Sequence, residues 1–585
     1  MAGAAAVASL AAVAAGWLDL HGSTATKTTT TLLLPRRWWP PPSSVAEPSS
    51  LLLGWWTAAS WPGAAEALRA AWDAARAAAV APALAAASWA CLALSAMLLA
   101  DAVFLAAASL LAPRRRRRYR PGPLAAGPAN EEDVGDEEAG GGRAAGAYPM
   151  VLVQIPMYNE REVYKLSIGA ACGLAWPSDR VIVQVLDDST DPTIKDLVEL
   201  ECMFWASKGK NVKYEVRDNR RGYKAGALKQ GMLYDYVQQC DFVVVFDADF
   251  QPEPDFLTRT VPYLVHNPRI ALVQARWEFV NPNEFLMTRI QRMTLDYHFK
   301  VEQEAGSSTF AFFGFNGTAG VWRISSIKEA GGWEDRTTVE DMDLAVRAGL
   351  KGWKFLYVGD VKVKSELPSN LKAYRRQQHR WTCGAANLFR KTGAEIILNK
   401  EVSLWRKLYL FYSFFFIRKI VAHVVPFMLY CVVIPLSVLI PEVTVPIWGV
   451  VYIPTTITLL YAVRNPSSLH FIPFWILFEN VMSFHRTKAT FIGLLELGSV
   501  NEWVVTEKLG NSSCKPVMQV LEKPPCRSCW DRCTISEILV AIFLFFCATY
   551  NLVYGGDFYF VYIYLQAITF LIVGTGFCGT SGSNS

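Results

Sequence analysis

RVIVQVLDDSTD (residues 180–191) and FVVVFDAD (residues 242–249) decide the fold. Each is a short β-branched run that ends abruptly in acidic residues. Apolar runs of this length, without polar alternation, read as strands buried on both faces. Val151–Ile155 and Val212–Val216 have the same character, and the stretches Thr193–Ala206 and Lys224–Val237 between the runs read as helices. Strand–helix alternation predicts an α/β domain with a mostly parallel, Rossmann-like sheet and helices on both faces. Ligands of such sheets bind outside the carboxyl ends of the strands. That edge is where Asp187, Asp188, Asp247 and Asp249 fall.

Either acidic cluster alone is an ordinary solvated turn. Together, on one edge of one sheet, they are carboxylates that repel unless a cation holds them ionised. An all-oxygen donor set prefers Mg²⁺ or Mn²⁺ and leaves coordination positions for diphosphate oxygens. Asp247 and Asp249 are the expected metal ligands. Between the clusters lie Arg217, Arg220, Arg221 and Lys224, punctuated by Gly222 and Gly226. A basic, glycine-containing turn that opens a helix suits a phosphate, although it could equally be a plain surface loop.

Two further motifs lie downstream. Thr338, Val339, Glu340, Asp341 and Met342 open a predicted helix. Thr338 is placed to cap it, close to a capping box, which would need no function. Asp341 in a cleft would also serve as a general base for a hydroxyl. Gln377, Arg380 and Trp381 stand at i, i+3 and i+4, on one helical face. An Arg beside a Trp can grip a diphosphate and stack a sugar ring, or anchor a helix at a membrane surface.

The chain has 585 residues, 52% hydrophobic and only 19% charged, where soluble domains carry about a quarter. Ala77–Ala100 is uncharged and the apolar run resumes after Asp101 to Ala112. Ile420–Pro441, Val443–Val463, Ile538–Gly556 and Phe558–Phe577 are four more runs near the ~20 residues that a span requires. The net charge of +5 is too small to argue for nucleic acid, and no nucleic-acid partner is expected; 12 Cys in this length exclude a disulfide scaffold. Arg114–Arg118 follows the first span, so the large α/β domain is expected on the cytosolic side of the lipid bilayer. Met1–Ala15 is apolar without a basic start, so cleavage is not expected. Cys514, Cys526, Cys529 and Cys533 match zinc spacings poorly.

The expected organisation is an N-terminal region (1–79), a span (80–112), and a basic then acidic and Gly-rich linker (113–147). A catalytic domain (148–400) is followed by an interfacial helix with two spans (401–463). A cytosolic or interfacial region (464–537), two spans (538–577) and a tail (578–585) complete the chain.

The ordered set Asp188, Asp247-Ala248-Asp249, Glu340-Asp341 and Gln377-Gln378-His379-Arg380-Trp381 resembles the D, DxD, [TE]D, QxxRW pattern of processive family-2 glycosyltransferases. Trp503-Val504-Val505-Thr506-Glu507-Lys508 is similar to the FxVTxK gating loop of bacterial cellulose synthase, with Trp in place of Phe. Within that group, VLVQIPMYNEREVYKLSIGAACGL (151–174), QVLDDSTDPTIK (184–195) and FFGFNGTAGVWR (312–323) look like the cellulose synthase-like A family. The resemblance implies a GT-A catalytic domain in a multi-pass Golgi membrane protein. It implies glucomannan 4-β-mannosyltransferase activity, with GDP-mannose, and GDP-glucose as a second donor, adding to a growing β-mannan acceptor. It places base and ribose near Asp187, Asp188 and Lys224, and the metal-diphosphate on Asp247 and Asp249. Asp341 becomes the base and Asp188 the second catalytic residue, with Glu340 among the substrate-binding residues. Gln377, Arg380 and Trp381 hold diphosphate and acceptor, Phe313–Gly320 line the acceptor path, and Trp503 and Lys508 close over the nucleotide. The competing readings are a UDP-glucose-dependent β-glucan synthase of the cellulose synthase-like C type, a lipid-linked mannosyltransferase, and a transporter with a nucleotide-binding domain. The transporter reading is disfavoured because the spans carry almost no ionisable residues.

Overall fold

The computed structural model describes residues 61–116, 119, 121–122, 148–217, 219–463, 466–498 and 533–576. The expectations for Met1–Ala15, the 123–147 linker, Trp503, Lys508, Cys514, Cys526 and Cys529 lie outside the described residues. The chain divides into two units, Met1–Val80 and Ala81–Ser585. In the first, the described part is the helix Trp61–Ala75 and the turn Arg76–Val80.

The second unit contains an eight-stranded mixed sheet: β1 Val151–Met157, β2 Val181–Asp187, β3 Val212–Val216, β4 Phe242–Val245, β5 Gln251–Pro252, β6 Ile270–Phe279, β7 Gly320–Arg323 and β8 Lys354–Ser365. The order is β3-β2-β1-β4-β7-β6-β8-β5. From β3 to β4 every pairing is parallel, as the strand–helix alternation predicts. Beyond β4 the sheet departs from that expectation: β7 runs antiparallel to both β4 and β6, and β5 antiparallel to β8. In this mixed half β6 and β8 pair in parallel, and charged residues interrupt the longer strands. β7 is only four residues long, and β8 carries Lys354, Lys362 and Lys364.

One apolar layer packs under helices Tyr164–Cys172, Pro192–Ser207 and Phe256–Val265. The other lies beneath Tyr223–Gly231, Glu340–Leu350 and the long helix Leu371–Leu398. The predicted helix at Lys224–Val237 ends early, at Gly231. A Cβ there would lie 2.7 Å from Gln154 Nε2 and 2.8 Å from Gln184 Oε1, so only glycine fits over this buried amide pair. Gln184 Nε2 donates to the Gly231 carbonyl at 3.0 Å, which secures the helix end to the sheet.

Among the described residues, three helices are long and apolar enough to cross a membrane: Glu66–Ala112, Leu404–Leu439 and Ile535–Tyr554. Trp448–Tyr461 and Tyr559–Gly574 are shorter apolar helices. Ile472–Leu495 is a further helix, hidden from a hydropathy reading by Glu479, Arg486 and Lys488. Its Arg486 pairs with Glu479 at 2.6 Å and donates to Gln378 Oε1 at 3.1 Å, joining it to helix Leu371–Leu398. Gly493 makes that approach possible, since a Cβ would stand 2.3 Å from the Cys383 carbonyl oxygen.

Candidate active site

The DDSTD turn is assembled locally. Asp191 caps helix Pro192–Ser207 by accepting from Thr193 N–H at 2.9 Å, and Pro192 stands at the first helical position, where its missing N–H costs nothing. Asp187 is wholly buried. Its oxygens accept from Ser189 N–H at 2.8 Å and Tyr214 O–H at 2.9 Å. These bonds hold the turn and tie β2 to β3. Asp188 instead faces the basic turn and forms a two-pronged ion pair with Arg217, in which Nε donates to Oδ1 at 2.7 Å. The same guanidinium donates to the carbonyls of Arg221 and Tyr223, both at 3.0 Å. Asp188 therefore shapes the basic turn through Arg217, a partner the motif pattern does not name. Gly226 leaves room for this arrangement: a Cβ would meet Arg221 O at 2.1 Å and Arg217 Nη1 at 2.7 Å.

The turn then delivers Lys224. Its ammonium donates to Asp247 Oδ1 at 2.5 Å and to the Gly317 carbonyl at 2.9 Å, and lies 3.8 Å from Glu340 Oε1. Asp247 leaves β4 with its backbone N–H donating to Thr318 Oγ1 at 3.0 Å, so the 316–318 loop is braced against the DxD residues. Asp249 lies buried two residues on. Gly317, at φ +76°, sits so close to Asp341 that a Cβ would stand 2.8 Å from Oδ2.

Helix Glu340–Leu350 begins without the cap expected from the sequence. Val339 occupies the cap position and no side chain caps the end. Thr338 is turned toward helix Leu371–Leu398, where a Cβ at Gly384 would approach its Oγ1 to 2.6 Å. Close packing of that helix displaces the capping geometry. Asp341 Oδ1 accepts from Met342 N–H at 2.7 Å, while Oδ2 points at Gly317. Asp343 in the same turn is wholly buried between Arg336, at 2.6 Å, and Arg347, at 3.1 Å, and so anchors the helix.

Leu371–Leu398 starts at Asn370, whose side chain accepts from Lys372 N–H at 2.7 Å. It brings the Arg380 guanidinium into the field of Glu340, Asp247 and Asp341. Gln377 and Trp381 stand half-buried on the same helix. Five elements thus place Lys224, Asp247, Gly317, Glu340, Asp341 and Arg380 in one cluster.

The charges in this cluster are interdependent. Burial and the neighbouring Asp341 push Glu340 up to about 7, against the pull of Lys224 and Arg380. Burial raises Asp341 as well, opposed by Lys224, the Met342 N–H and Arg380. A carboxyl raised toward neutrality is the kind that exchanges a proton with a hydroxyl. Burial disfavours the charge on Lys224, but Asp247, Glu340 and Asp341 more than reverse this and its pKa is raised. For Arg380 burial prevails over the same carboxylates, and its pKa is lowered.

The carboxylates suit a hard divalent cation. Lys224 occupies one oxygen of Asp247, whose side chain remains 33% exposed. No cluster of three or more His, Cys, Asp or Glu residues suited to a metal occurs among the described residues. Two aspartates on oxygen-only terms fit an ion whose remaining ligands are phosphate oxygens and water.

Residues 152–319 match the model of glycosyl transferase family 2, and residues 242–463 that of glycosyl transferase family group 2. The protein named "Probable glucomannan 4-beta-mannosyltransferase 3" of Oryza sativa subsp. japonica is 79% identical over 526 residues, 90% of this chain and 94% of that one. Glucomannan 4-beta-mannosyltransferase 9 of Arabidopsis thaliana is 61% identical over 514 residues, 87% of this chain and 94% of that one. Among solved structures, the mannosyltransferase PcManGT from Pyrobaculum calidifontis, in complex with GDP-Man and Mn²⁺, aligns with a TM-score of 0.44 and 19% identity, covering 69% of this chain and 100% of that one. With a GT-A-like sheet, apolar membrane helices and identities of this order over most of its length, the chain belongs to the glucomannan 4-beta-mannosyltransferase family of family 2 glycosyltransferases.

Proposed function

We propose that this chain polymerises mannose from GDP-mannose, with some glucose from GDP-glucose, into a β-1,4-linked mannan or glucomannan backbone at the Golgi membrane. The carrying observation is the single cluster of Lys224, Asp247, Glu340, Asp341 and Arg380 about Gly317. Asp341 accepts the proton of the acceptor 4-hydroxyl while that oxygen bonds to the anomeric carbon from the face opposite the diphosphate. The bond from that carbon to the phosphate oxygen breaks, GDP departs, and an α-linked donor becomes a β-linkage in one displacement. Lys224 and Arg380 supply positive charge where the diphosphate gathers negative charge, an electrostatic contribution that usually dominates such steps. Asp247 and Asp249 would hold Mg²⁺ or Mn²⁺, which, when bound, neutralises diphosphate charge. Gln377 and Trp381 flank the acceptor, with Trp381 stacking its terminal ring. Asp187 and Asp188 sit beneath the nucleotide, Asp188 acting through Arg217 on the basic turn. The catalytic domain faces the cytosol, with Trp503 and Lys508 closing over the nucleotide.

Microsomes expressing the chain should make a mannanase-sensitive polymer from GDP-mannose, incorporate glucose when GDP-glucose is added, and make nothing from UDP-glucose. A glucanase-sensitive polymer from UDP-glucose, with GDP-mannose inert, would refute the donor assignment and leave the mechanism standing.

A further inference from the structure

Beside the catalytic cluster lies a second polar group that the proposed mechanism does not use. The π-helical turn His298–Gln303 brings two side chains, His298 and Gln303, to the loop that carries Asn316 and Gly317. His298 Nδ1 lies 2.6 Å from Glu302 Oε2. Burial opposes the Glu302 charge, but the His298 hydrogen bond and charge, helped by Arg418 and Lys419, bring it down to about 2. Glu302 is therefore an acceptor, Nδ1 carries the donated proton, and Nε2 is the nitrogen presented to the loop. Nε2 lies 3.3 Å from Asn316 Oδ1 and 3.2 Å from Gln303 Nε2. Gln303 Nε2 also donates to Asn316 Oδ1 at 2.7 Å and to the Gly314 carbonyl at 3.2 Å.

Two atoms of this group are left over. Asn316 Nδ2 and Gln303 Oε1 are buried and have no hydrogen-bond partner among the described residues. Exchanging nitrogen and oxygen in both amides does not cure this. It pairs the two facing atoms again and leaves one donor and one acceptor over, with their places swapped. Buried amide groups without partners are rare in folded proteins and ask for an explanation. A hydroxyl both donates and accepts, so it suits a group that has a donor and an acceptor left over. The location names whose hydroxyl it is: Asn316 immediately precedes Gly317, which touches both Asp341 and Lys224. The His298 side chain is 30% exposed and that of Glu302 18%, so the group is open on the histidine side.

We propose that His298, Gln303 and Asn316 form a hydroxyl-reading wall of the acceptor site, with Glu302 fixing the His298 ring, and that their ligand is the terminal sugar of the growing chain. This rests on the reading of Asp341 as the base that the acceptor must reach.

The test uses the full-length chain in microsomes with GDP-mannose and β-1,4-mannopentaose as acceptor. His298→Phe keeps a ring and removes Nε2; Gln303→Leu and Asn316→Ala remove the other groups. Each should raise the KM for mannopentaose about tenfold, the equivalent of one lost hydrogen bond of 1.4 kcal/mol. The KM for GDP-mannose, and kcat at saturating acceptor, should stay within about threefold. Glu302→Gln keeps an acceptor for the ring and Glu302→Ala removes it, so the acceptor KM should rise less in the first than in the second. An acceptor KM that does not move in His298→Phe and Gln303→Leu, or a parallel rise in both KM values, would overturn the proposal. If Asn316→Ala does not fold, the partly exposed His298 decides alone. Failure of the underlying reading is distinguishable: Asp341→Asn would then retain kcat at saturating mannopentaose, whereas the wall variants are judged on acceptor KM. No transfer from GDP-mannose by the unaltered chain would refute the donor reading and, with it, a mannan-terminated ligand for this wall.

Discussion

Replacing Gly317 by alanine adds one methyl group at the centre of the site. Its Cβ would stand 2.8 Å from Asp341 Oδ2 and 3.4 Å from Lys224 Nζ. Ordinary contact begins at 3.4 Å, so the carboxylate has to retreat by about 0.6 Å or rotate away. A carboxylate can do this at little cost in stability, but it is the group that must meet the acceptor hydroxyl. Misplacement by about 1 Å can cost ~10²-fold in rate, which puts the loss in kcat between about tenfold and a hundredfold. The left-handed backbone at φ +76° adds roughly 1–2 kcal/mol of strain for any residue with a Cβ. Gly352 separates the two effects. It has φ +84° and nothing within 4 Å of a built Cβ, so Gly352→Ala bears the strain without touching the site. Mannan synthesis from GDP-mannose and thermal unfolding in detergent would be measured for both variants. Both should lose similar stability, and only Gly317→Ala should lose turnover. Half or more of the normal kcat in Gly317→Ala, or an equal loss in Gly352→Ala, would refute the reasoning.

Three other perturbations address the same cluster. Asp341→Asn keeps an oxygen to accept the Met342 N–H but removes the base, so polymer synthesis should fall about 10² to 10⁴-fold while GDP affinity, read by titration, changes little. Asp249→Ala should weaken GDP-mannose binding and abolish its dependence on Mn²⁺; chelator and mutation should mask each other, and independent effects would contradict the assignment. Glu340, held up to about 7, ionises beside Asp341, and its negative charge makes the pair hold its proton more tightly. Glu340→Gln removes that charge, so the acid limb of kcat/KM should move to lower pH than in the unaltered chain; a limb that stays or rises would count against the coupling.

The parallel half of the sheet was legible because β1, β2 and β4 are buried on both faces and therefore lack polar alternation. The mixed half was not, since the lysines of β8 interrupt its apolar run and Arg276 and Glu278 interrupt that of β6. Hydropathy likewise passed over Ile472–Leu495, because Glu479 and Arg486 look solvated until their mutual partner is known. The run Val443–Val463 has spanning length as sequence, yet its helical part begins only at Trp448 and runs to Val463.

Read alone, the sequence determined which residue types carry the chemistry and their order along the chain. Spacing within one strand end or one helical turn obeys local geometry, so the DxD residues, the Glu340-Asp341 pair and the i, i+3, i+4 set at Gln377 needed no fold to be found. What each carboxylate does was decided by tertiary structure. Asp187, Asp188, Asp247, Glu340, Asp341 and Asp343 are alike as letters, but Asp187 is bound by Ser189 and Tyr214, Asp188 by Arg217, and Asp343 by two arginines. Asp247 meets Lys224, and Asp341 keeps an oxygen facing Gly317. These partners lie on other strands and helices, and only the packed fold brings them within hydrogen-bond reach. The charge state of a carboxyl follows from burial and from such partners, neither of which is a property of its neighbours in sequence.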